Sequence, residues 1–233
     1  MNEKKLTIDG RLTAAASFVR EGAVVADIGT DHAFLPISLM LDGKINSAVA
    51  SDINSGPLER AKTNADKYGV SEKMKFVLVG GIPDDECRCR GVTDIVICGM
   101  GGELIESIIS SSAYAENDGV RLILQPMSFA AELRRYLCSE GFHIIDEKLC
   151  KAAGRVYTVI CAEYDGISRS YSDVELTLGK KNIENKDSLF DEYVEKIKEK
   201  LKTQIKGKTS GGIDCTEEKK LFDGIISLSE VQK

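Results

Sequence analysis

Apolar residues in the first part of the chain fall into short, almost unbroken runs separated by longer stretches of mixed character. Residues 24–28, 48–52, 74–79, 93–98 and 120–125 are such runs, rich in β-branched side chains and bounded by glycine or polar turns. Runs of this length and composition predict buried strands. Between them, 34–42, 57–69, 101–112 and 128–140 carry apolar residues at helical spacing, and 11–20 predicts a helix leading into the first strand. Strands that alternate with helices predict a parallel sheet. The continuous apolar character of the strands agrees, because strict alternation marks a sheet with one wet face.

The pattern changes after residue 140. Two extended runs, 142–149 and 156–163, are joined by Cys150-Lys-Ala-Ala-Gly154-Arg155, which predicts an antiparallel hairpin at the sheet edge. A polar segment from Asp165 to Ser172 follows. Beyond it Phe190, Tyr193, Val194, Ile197, Leu201 and Ile205 recur at the 3–4 spacing of an amphipathic helix. Residues 206–212 predict a loop, and Asp214 with Glu217 three residues on resembles a capping box opening a last helix. A further helix is expected over 173–186. The chain thus divides into an α/β unit over 1–165, with a Rossmann-like sheet and an antiparallel edge hairpin, and a helical coiled-coil hairpin over 166–233.

Composition narrows the class. No start resembling a signal peptide and no apolar run near the ~20 residues that span a bilayer is present, which predicts a cytoplasmic protein without a membrane segment. Seven cysteines, an odd count without a CxxC pair, and only two histidines predict reduced core thiols and no metal site. Cys87-Arg-Cys89 is expected in a loop. The net charge of −6 is unlike that of a basic nucleic-acid-binding domain. The imbalance is uneven: residues 166–233 hold 13 basic and 13 acidic side chains, leaving 18 and 24 in residues 1–165. The lysines at 196, 198, 200, 202, 206 and 208 are candidate phosphate contacts on the helical tail.

Ligands of open α/β sheets bind beyond the carboxyl ends of the strands. Polar and glycine residues cluster there: Asp27-Ile28-Gly29-Thr-Asp31-His32 after the first strand, Asp52-Ile53-Asn54 after the second, Gly80-Gly81 after the third, Gly99-Met100-Gly101-Gly102 after the fourth, Gln125-Pro-Met after the fifth. Gly29 permits close backbone approach to a ligand. The full GxGxxG fingerprint is absent, which argues against a pyrophosphate on the first helix. Asp52 stands where an acidic residue accepts hydrogen bonds from ribose hydroxyls. An acidic ribose clamp with an acidic first turn suits a ligand having a ribose and a cationic amino-acid portion but no phosphate. S-adenosylmethionine answers that description.

Asp27-Ile-Gly-Thr-Asp-His-Ala-Phe-Leu-Pro36, Asp52-Ile-Asn-Ser-Gly-Pro-Leu58, Gly99-Met-Gly-Gly102 and Leu122-Ile-Leu-Gln-Pro126, in that order, resemble the bacterial tRNA adenine N1-methyltransferases that modify adenosine 22, the TrmK family. The likeness runs over residues 11–165, and the tail resembles that family's C-terminal coiled coil. It implies that Asp27, Gly29 and Asp31 line the methionine portion of S-adenosylmethionine, with Ile28 and His32 also in the cofactor site. It further places Asp52 on the ribose, Ile53 and Asn54 beside the adenine, and Gly80 and Gly81 near it. Gly99, Met100, Gly101 and Gly102 would lie beside the transferring methyl, and Arg11 and Tyr157 near the target base. The family's usual acid after the third strand is missing here, where Val79-Gly-Gly-Ile-Pro83 stands; Asp84, Asp85 or backbone groups alone would hold the cofactor's adenine.

Adenine N1 carries an in-plane lone pair and needs no base to become a nucleophile, so positioning should dominate catalysis. Asp31 is the candidate to stabilise the cationic product or to take a proton from its amino group. The expected partner is tRNA and the expected state a monomer. The competing readings are a methyltransferase acting on a small molecule and a non-enzymatic nucleotide-binding module.

Overall fold

The computed structural model describes residues 6–231. In chain order the elements are α1 (Gly10–Phe18), β1 (Val24–Ile28), α2 (Phe34–Leu41), β2 (Ser47–Asp52), α3 (Ser55–Tyr68), β3 (Met74–Leu78), α4 (Asp84–Arg90), β4 (Asp94–Gly101), α5 (Gly102–Ser110), β5 (Arg121–Ser128), α6 (Ala130–Ser139), β6 (Phe142–Ala152) and β7 (Arg155–Tyr164). The helices α7 (Asp173–Leu178), α8 (Lys180–Asn185), α9 (Phe190–Ser210) and α10 (Thr216–Val231) follow.

Seven strands form one sheet in the order β3-β2-β1-β4-β5-β7-β6. The first five are parallel, as the alternation of strands and helices predicts. Strands β6 and β7 are antiparallel, and β7 lies between β5 and the edge strand β6. A two-residue turn makes that reversal possible: Ala153 and Gly154 both have positive φ, 46° and 73°, the twist that tight hairpins require. The central strands bury both faces. Ala26, Ile28, Ile95, Ile97, Leu122 and Leu124 pack under α4, α5 and α6. Val25, Ala48, Ala50, Val96 and Ile123 pack under α1, α2 and α3.

Four expectations are corrected. The Cys87-Arg-Cys89 segment is helical, not loop: three acids open α4 and Arg88 and Arg90 close it, which complements the helix dipole, and Cys87 is fully buried. Strand β4 does not stop at Cys98. It runs to Gly101 through two register shifts against β5, so most of the glycine motif is strand rather than turn. The helix expected over 173–186 is broken at Gly179, where φ is +87°. The loop expected over 206–212 is mostly helix, since α9 continues to Ser210.

The C-terminal helices do not stand clear of the sheet. Phe190, Tyr193, Val194 and Leu201 of α9 and Ile225 of α10 share a core with Leu149 of β6 and Val156 of β7. Beneath this contact lies a buried polar hub. Arg134 of α6 and Glu147 of β6 pair at 2.7 Å with side chains 1% and 0% exposed. Arg134 also donates to the Leu176 and Thr177 carbonyls, and Glu147 accepts from the Lys181 amide. Gly179 is obligatory here: a Cβ would sit 2.5 Å from a Glu147 oxygen and 2.8 Å from an Arg134 nitrogen. The hub therefore explains why α7 and α8 are separate helices.

A buried pair is costly to break from one side, because the surviving charge is stranded. Arg134→Leu should destabilise the fold by about 3–5 kcal/mol in urea unfolding. A loss under about 1 kcal/mol would show that Glu147 finds water or another donor.

Candidate functional site

The order of strands reverses at β1, with β2 on one side and β4 on the other, and their carboxyl ends open a crevice there. A cavity of about 280 Å³ occupies it, lined by Asp9, Arg11, Asp27, Gly29, Thr30, Asp31, His32, Cys98, Gly99 and Gln125 among others. Of the residues singled out in the sequence, Arg11, Asp27, Gly29, Asp31, His32 and Gly99 meet around this cavity. Ile28 is the buried end of β1 beneath it.

Asp27 is buried, and its Oδ2 accepts the Thr30 hydroxyl at 2.6 Å. The Thr30 hydroxyl in turn accepts the Ala33 amide at 3.1 Å, which fixes Ala33 in the left-handed region at the start of α2. The Gly29 and Thr30 amides both donate to the Ser51 carbonyl, closing the turn against β2. Burial pushes the Asp27 carboxyl up to about 6, with the Thr30 hydroxyl pulling the other way. Burial and the neighbouring Asp27 drive the Cys98 thiol strongly upward, so it is neutral and inert.

Gly29, at φ +71°, lies directly under Met100, whose terminal methyl stands 1.8 Å from where a Gly29 Cβ would be. The irregularity in β4 produces this contact. Gly99, at φ +78°, lies within the first of the two register shifts, between Cys98 and Met100, and re-aims Met100 across the crevice. Gln125, fully buried on β5, holds the distortion: its side-chain oxygen accepts the Gly99 amide at 3.1 Å and its nitrogen donates to the Pro126 carbonyl. Gly101 and Gly102 pack against Ser128 and Phe129; a Cβ on Gly102 would meet the Phe129 carbonyl oxygen at 2.3 Å.

Two ion pairs rim the cavity. Asp31 accepts from Arg60 of α3 at 2.5 Å and lies 3.2 Å from His32 Nε2. Asp9 pairs with Arg11 at 2.6 Å and caps α1 by accepting the Arg11 and Leu12 amides. Gly10 permits this approach of α1 to β6, since a Cβ there would strike the Lys151 carbonyl oxygen at 2.2 Å. The Arg11 guanidinium lies 5.8 Å from the Tyr157 ring centre and donates to the Met127 sulfur at 3.2 Å. Arg60 and Asp9 carry no mark as site residues in the sequence analysis, and Gln125 stands there as a strand-end residue without its role at Gly99. Asp9 carried a signal, an Asp immediately before a helix, whereas nothing local marks Arg60.

Asp52, Ile53, Asn54, Gly80 and Gly81 do not line the cavity. They form an open shelf beyond it, where Asp52 caps the Asn54 amide at 2.7 Å and the side chain of Ile53, 70% exposed, lies over Gly80. The structure rejects both acids considered as substitutes after the third strand. Asp84 faces away, accepting from the Ser112 hydroxyl and the Tyr114 amide, and Asp85 is fully exposed beside Arg88. No acid after the third strand reaches that end, which leaves backbone groups, Ile53 and the Asn54 side chain. Among the described residues no cluster of three or more His, Cys, Asp or Glu side chains could hold a metal ion, and no helix is long and apolar enough to cross a membrane.

Residues 8–160 match the family model described as a methyltransferase domain. The chain is 36% identical over 180 residues to the tRNA (adenine(22)-N(1))-methyltransferase of Bacillus subtilis, covering 77% of this chain and 74% of that one. The crystal structure of the B. subtilis M1A22 tRNA methyltransferase TrmK superposes with a TM-score of 0.77 at 30% identity over 98% of this chain and all of the other. Sp1610 of Streptococcus pneumoniae, crystallised in complex with S-adenosyl-L-methionine, gives 0.79 at 32% identity over 97% of this chain and 100% of that one.

The buried Asp27 has a measurable consequence. With its folded value raised from 3.8 to about 6, its stabilising protonated form is lost as pH rises through that window. Asp27→Asn should therefore be more stable than wild type above pH 6 by about 3 kcal/mol and equal to it below pH 3.8. Urea midpoints that keep the same separation at every pH would show that Asp27 is not the titrating group.

Proposed function

The chain belongs to the family of tRNA (adenine(22)-N(1))-methyltransferases, and from that premise we propose how its cleft divides the work. It transfers the methyl group of S-adenosylmethionine to N1 of adenosine 22 in tRNA. The small-molecule and non-enzymatic readings give way to this one. The observation that carries the assignment of residues is the cavity at the β1/β4 reversal, bare of side chain at Gly29 and acidic at Asp27.

These residues suit S-adenosylmethionine, which supplies a methyl group on a positively charged sulfur. Asp27, buried and bound only to a hydroxyl, attracts the cationic amino-acid end. Gly29 leaves room for the backbone to meet it once Met100 turns aside. Asp52, on the shelf at the end of β2, accepts from the ribose hydroxyls. The adenine lies toward Ile53, Asn54, Gly80 and Gly81, held by backbone and apolar contact rather than by an acid. Burial of Asp27 makes binding pH-dependent: the affinity falls as pH drops through about 6, where the carboxylate is lost.

On the acceptor side, Gly99–Gly102 form the wall against which the flat target base slides, and Arg11 and Tyr157 flank its entrance. Adenine N1 is already nucleophilic, so the chain's task is to hold it in line and keep water out. Methylation leaves the base cationic. Asp31, beside the same cavity, balances that charge and is itself held by Arg60 and His32.

The unit over 1–165 carries the chemistry, and the helices of 166–231 form the coiled-coil arm that meets the tRNA. A tRNA substrate supports a cytoplasmic location. Of the six candidate lysines, Lys196, Lys198, Lys202 and Lys208 are engaged with glutamates of the arm itself, which leaves Lys200 and Lys206 for phosphate contacts.

Incubation with labelled cofactor and unmodified tRNA, followed by nucleoside analysis, should yield N1-methyladenosine, and none from tRNA with guanosine at position 22. No product at saturating cofactor would overturn the assignment. Asp52→Ala should weaken cofactor binding roughly tenfold by calorimetry, the loss of charge-assisted bonds to ribose. Unchanged affinity would remove Asp52 from the ribose site.

A further inference from the structure

A second hollow, of about 550 Å³, lies between the β5–α6 turn and helices α9 and α10. Met127, Phe129, Tyr157, Tyr193, Lys200 and Gln204 are among its lining residues. It adjoins the transfer cleft through a common wall. Arg11, which lines the first cavity, touches Met127 and Tyr157, which line the second.

Phe129 is 49% exposed and is the one aromatic ring among the exposed large apolar side chains of the described residues. Leaving such a ring in water is unfavourable, and its backbone is strained as well, a non-glycine residue at φ 55°. The fold goes to some length to keep it there. Gly102 lacks a Cβ where one would stand 2.3 Å from the Phe129 carbonyl oxygen and 3.0 Å from that of Ser128. Gly101 has the Ser128 hydroxyl 3.3 Å from its own Cβ position. The last two glycines of the transfer motif thus seat the turn that presents the ring. Across the groove, Lys200 has no acidic partner among the described residues, unlike its neighbours Lys196, Lys198 and Lys202. Of the two groove-lining glutamates, Glu218 is paired with Lys208 at 2.6 Å, and Glu132 lies in the first turn of α6.

We propose that this groove holds the nucleotide adjoining the methylated adenosine, with its base stacked on Phe129 and its phosphate at Lys200. The inference rests on tRNA being the acceptor. An adenosine whose N1 edge is to be methylated must leave its stack, which exposes one face of its neighbour. An aromatic ring beside the exit restores that stacking without regard to sequence. Placement follows from the shared wall: the target base enters between Arg11 and Tyr157 toward Gly99, and the chain next to it passes over Met127 into the groove.

The test compares Phe129→Ala, Phe129→Leu and Phe129→Trp with wild type on full-length tRNA transcripts. Phe129→Ala and Phe129→Leu should raise the KM for tRNA about tenfold, with kcat and cofactor affinity within about twofold of wild type, and Phe129→Trp should restore it. A transcript lacking the base on one side of adenosine 22 should show the same loss with wild type and no further loss with Phe129→Ala. Lys200→Gln should lower tRNA affinity and reduce its dependence on salt by about one ion. A wild-type KM for Phe129→Leu would reduce the ring to apolar packing. Losses that multiply between Phe129→Ala and the abasic transcripts would likewise overturn the proposal. Wild type inactive on any tRNA would instead refute the acceptor itself.

Discussion

The reversal of strand order at β1 is the constraint on which the rest of the molecule depends. Chains leaving β1 and β4 must diverge, to α2 on one side of the sheet and α5 on the other, and their separation opens the crevice. Both sheet faces are already covered by helices, so this end is where a ligand can reach the backbone. The glycines follow from that geometry. Gly29 is bare because Met100 crosses over it, and Met100 crosses because β4 is bulged at Gly99. Gln125 ties the bulge to β5. A distortion two strands wide therefore shapes the cavity at Gly29 and the adjoining wall at Gly99 together.

A second constraint fixes the helical arm. Arg134 and Glu147 lie within the body of the protein, yet their remaining hydrogen-bonding capacity is satisfied by the backbone of α7 and α8. A pair of this kind contributes little net stability against an apolar replacement, but it tolerates few alternative arrangements. It sets where α9 leaves the sheet, and so which lysine faces the groove. The arm is continuous with the hairpin core, and cutting the chain at residue 165 would strip the cover from Leu149, Val156 and the buried pair. Division into units is thus clearer in the pattern of residues than in the packing.

Much of the α/β unit was legible because buried parallel strands demand unbroken apolar runs, and the strand ends identified the side on which polar residues matter. Asp27, Gly29, Asp31, His32 and Gly99 converge there as the sequence suggests. What escaped has a common cause. Arg60 reaches Asp31 across 29 positions, and Gln125 reaches Gly99 across 26, contacts created only by adjacency in the sheet. Gly99-Met-Gly-Gly reads as a turn, because the bulge that keeps it in β4 is made by β5. The break at Gly179 answers to the buried hub and not to its neighbours in sequence. Helix α4 and the cap Asp9 are omissions the sequence could have prevented, since the charges of α4 follow the helix dipole and Asp9 directly precedes α1.

The same contacts bear on how the cleft accelerates methyl transfer. Each carboxylate near the cavity is already engaged: Asp9 with Arg11, Asp27 with Thr30, Asp31 with Arg60 and His32. None of these carboxylates is a free base, and the reaction needs none, because the lone pair on adenine N1 lies in the ring plane and is not tied to a proton. Under the proposed assignment, engaged carboxylates would still serve as fixed negative potential around a positively charged donor and a base that becomes positive on methylation. Rate must then come from placing two flat groups and one methyl in line. Under the proposed assignment, placement depends on how closely backbone can approach at Gly29 and Gly99, the two cavity-lining glycines, both at positive φ. A cleft built this way is more sensitive to an added methyl group at those glycines than to the loss of any one charge.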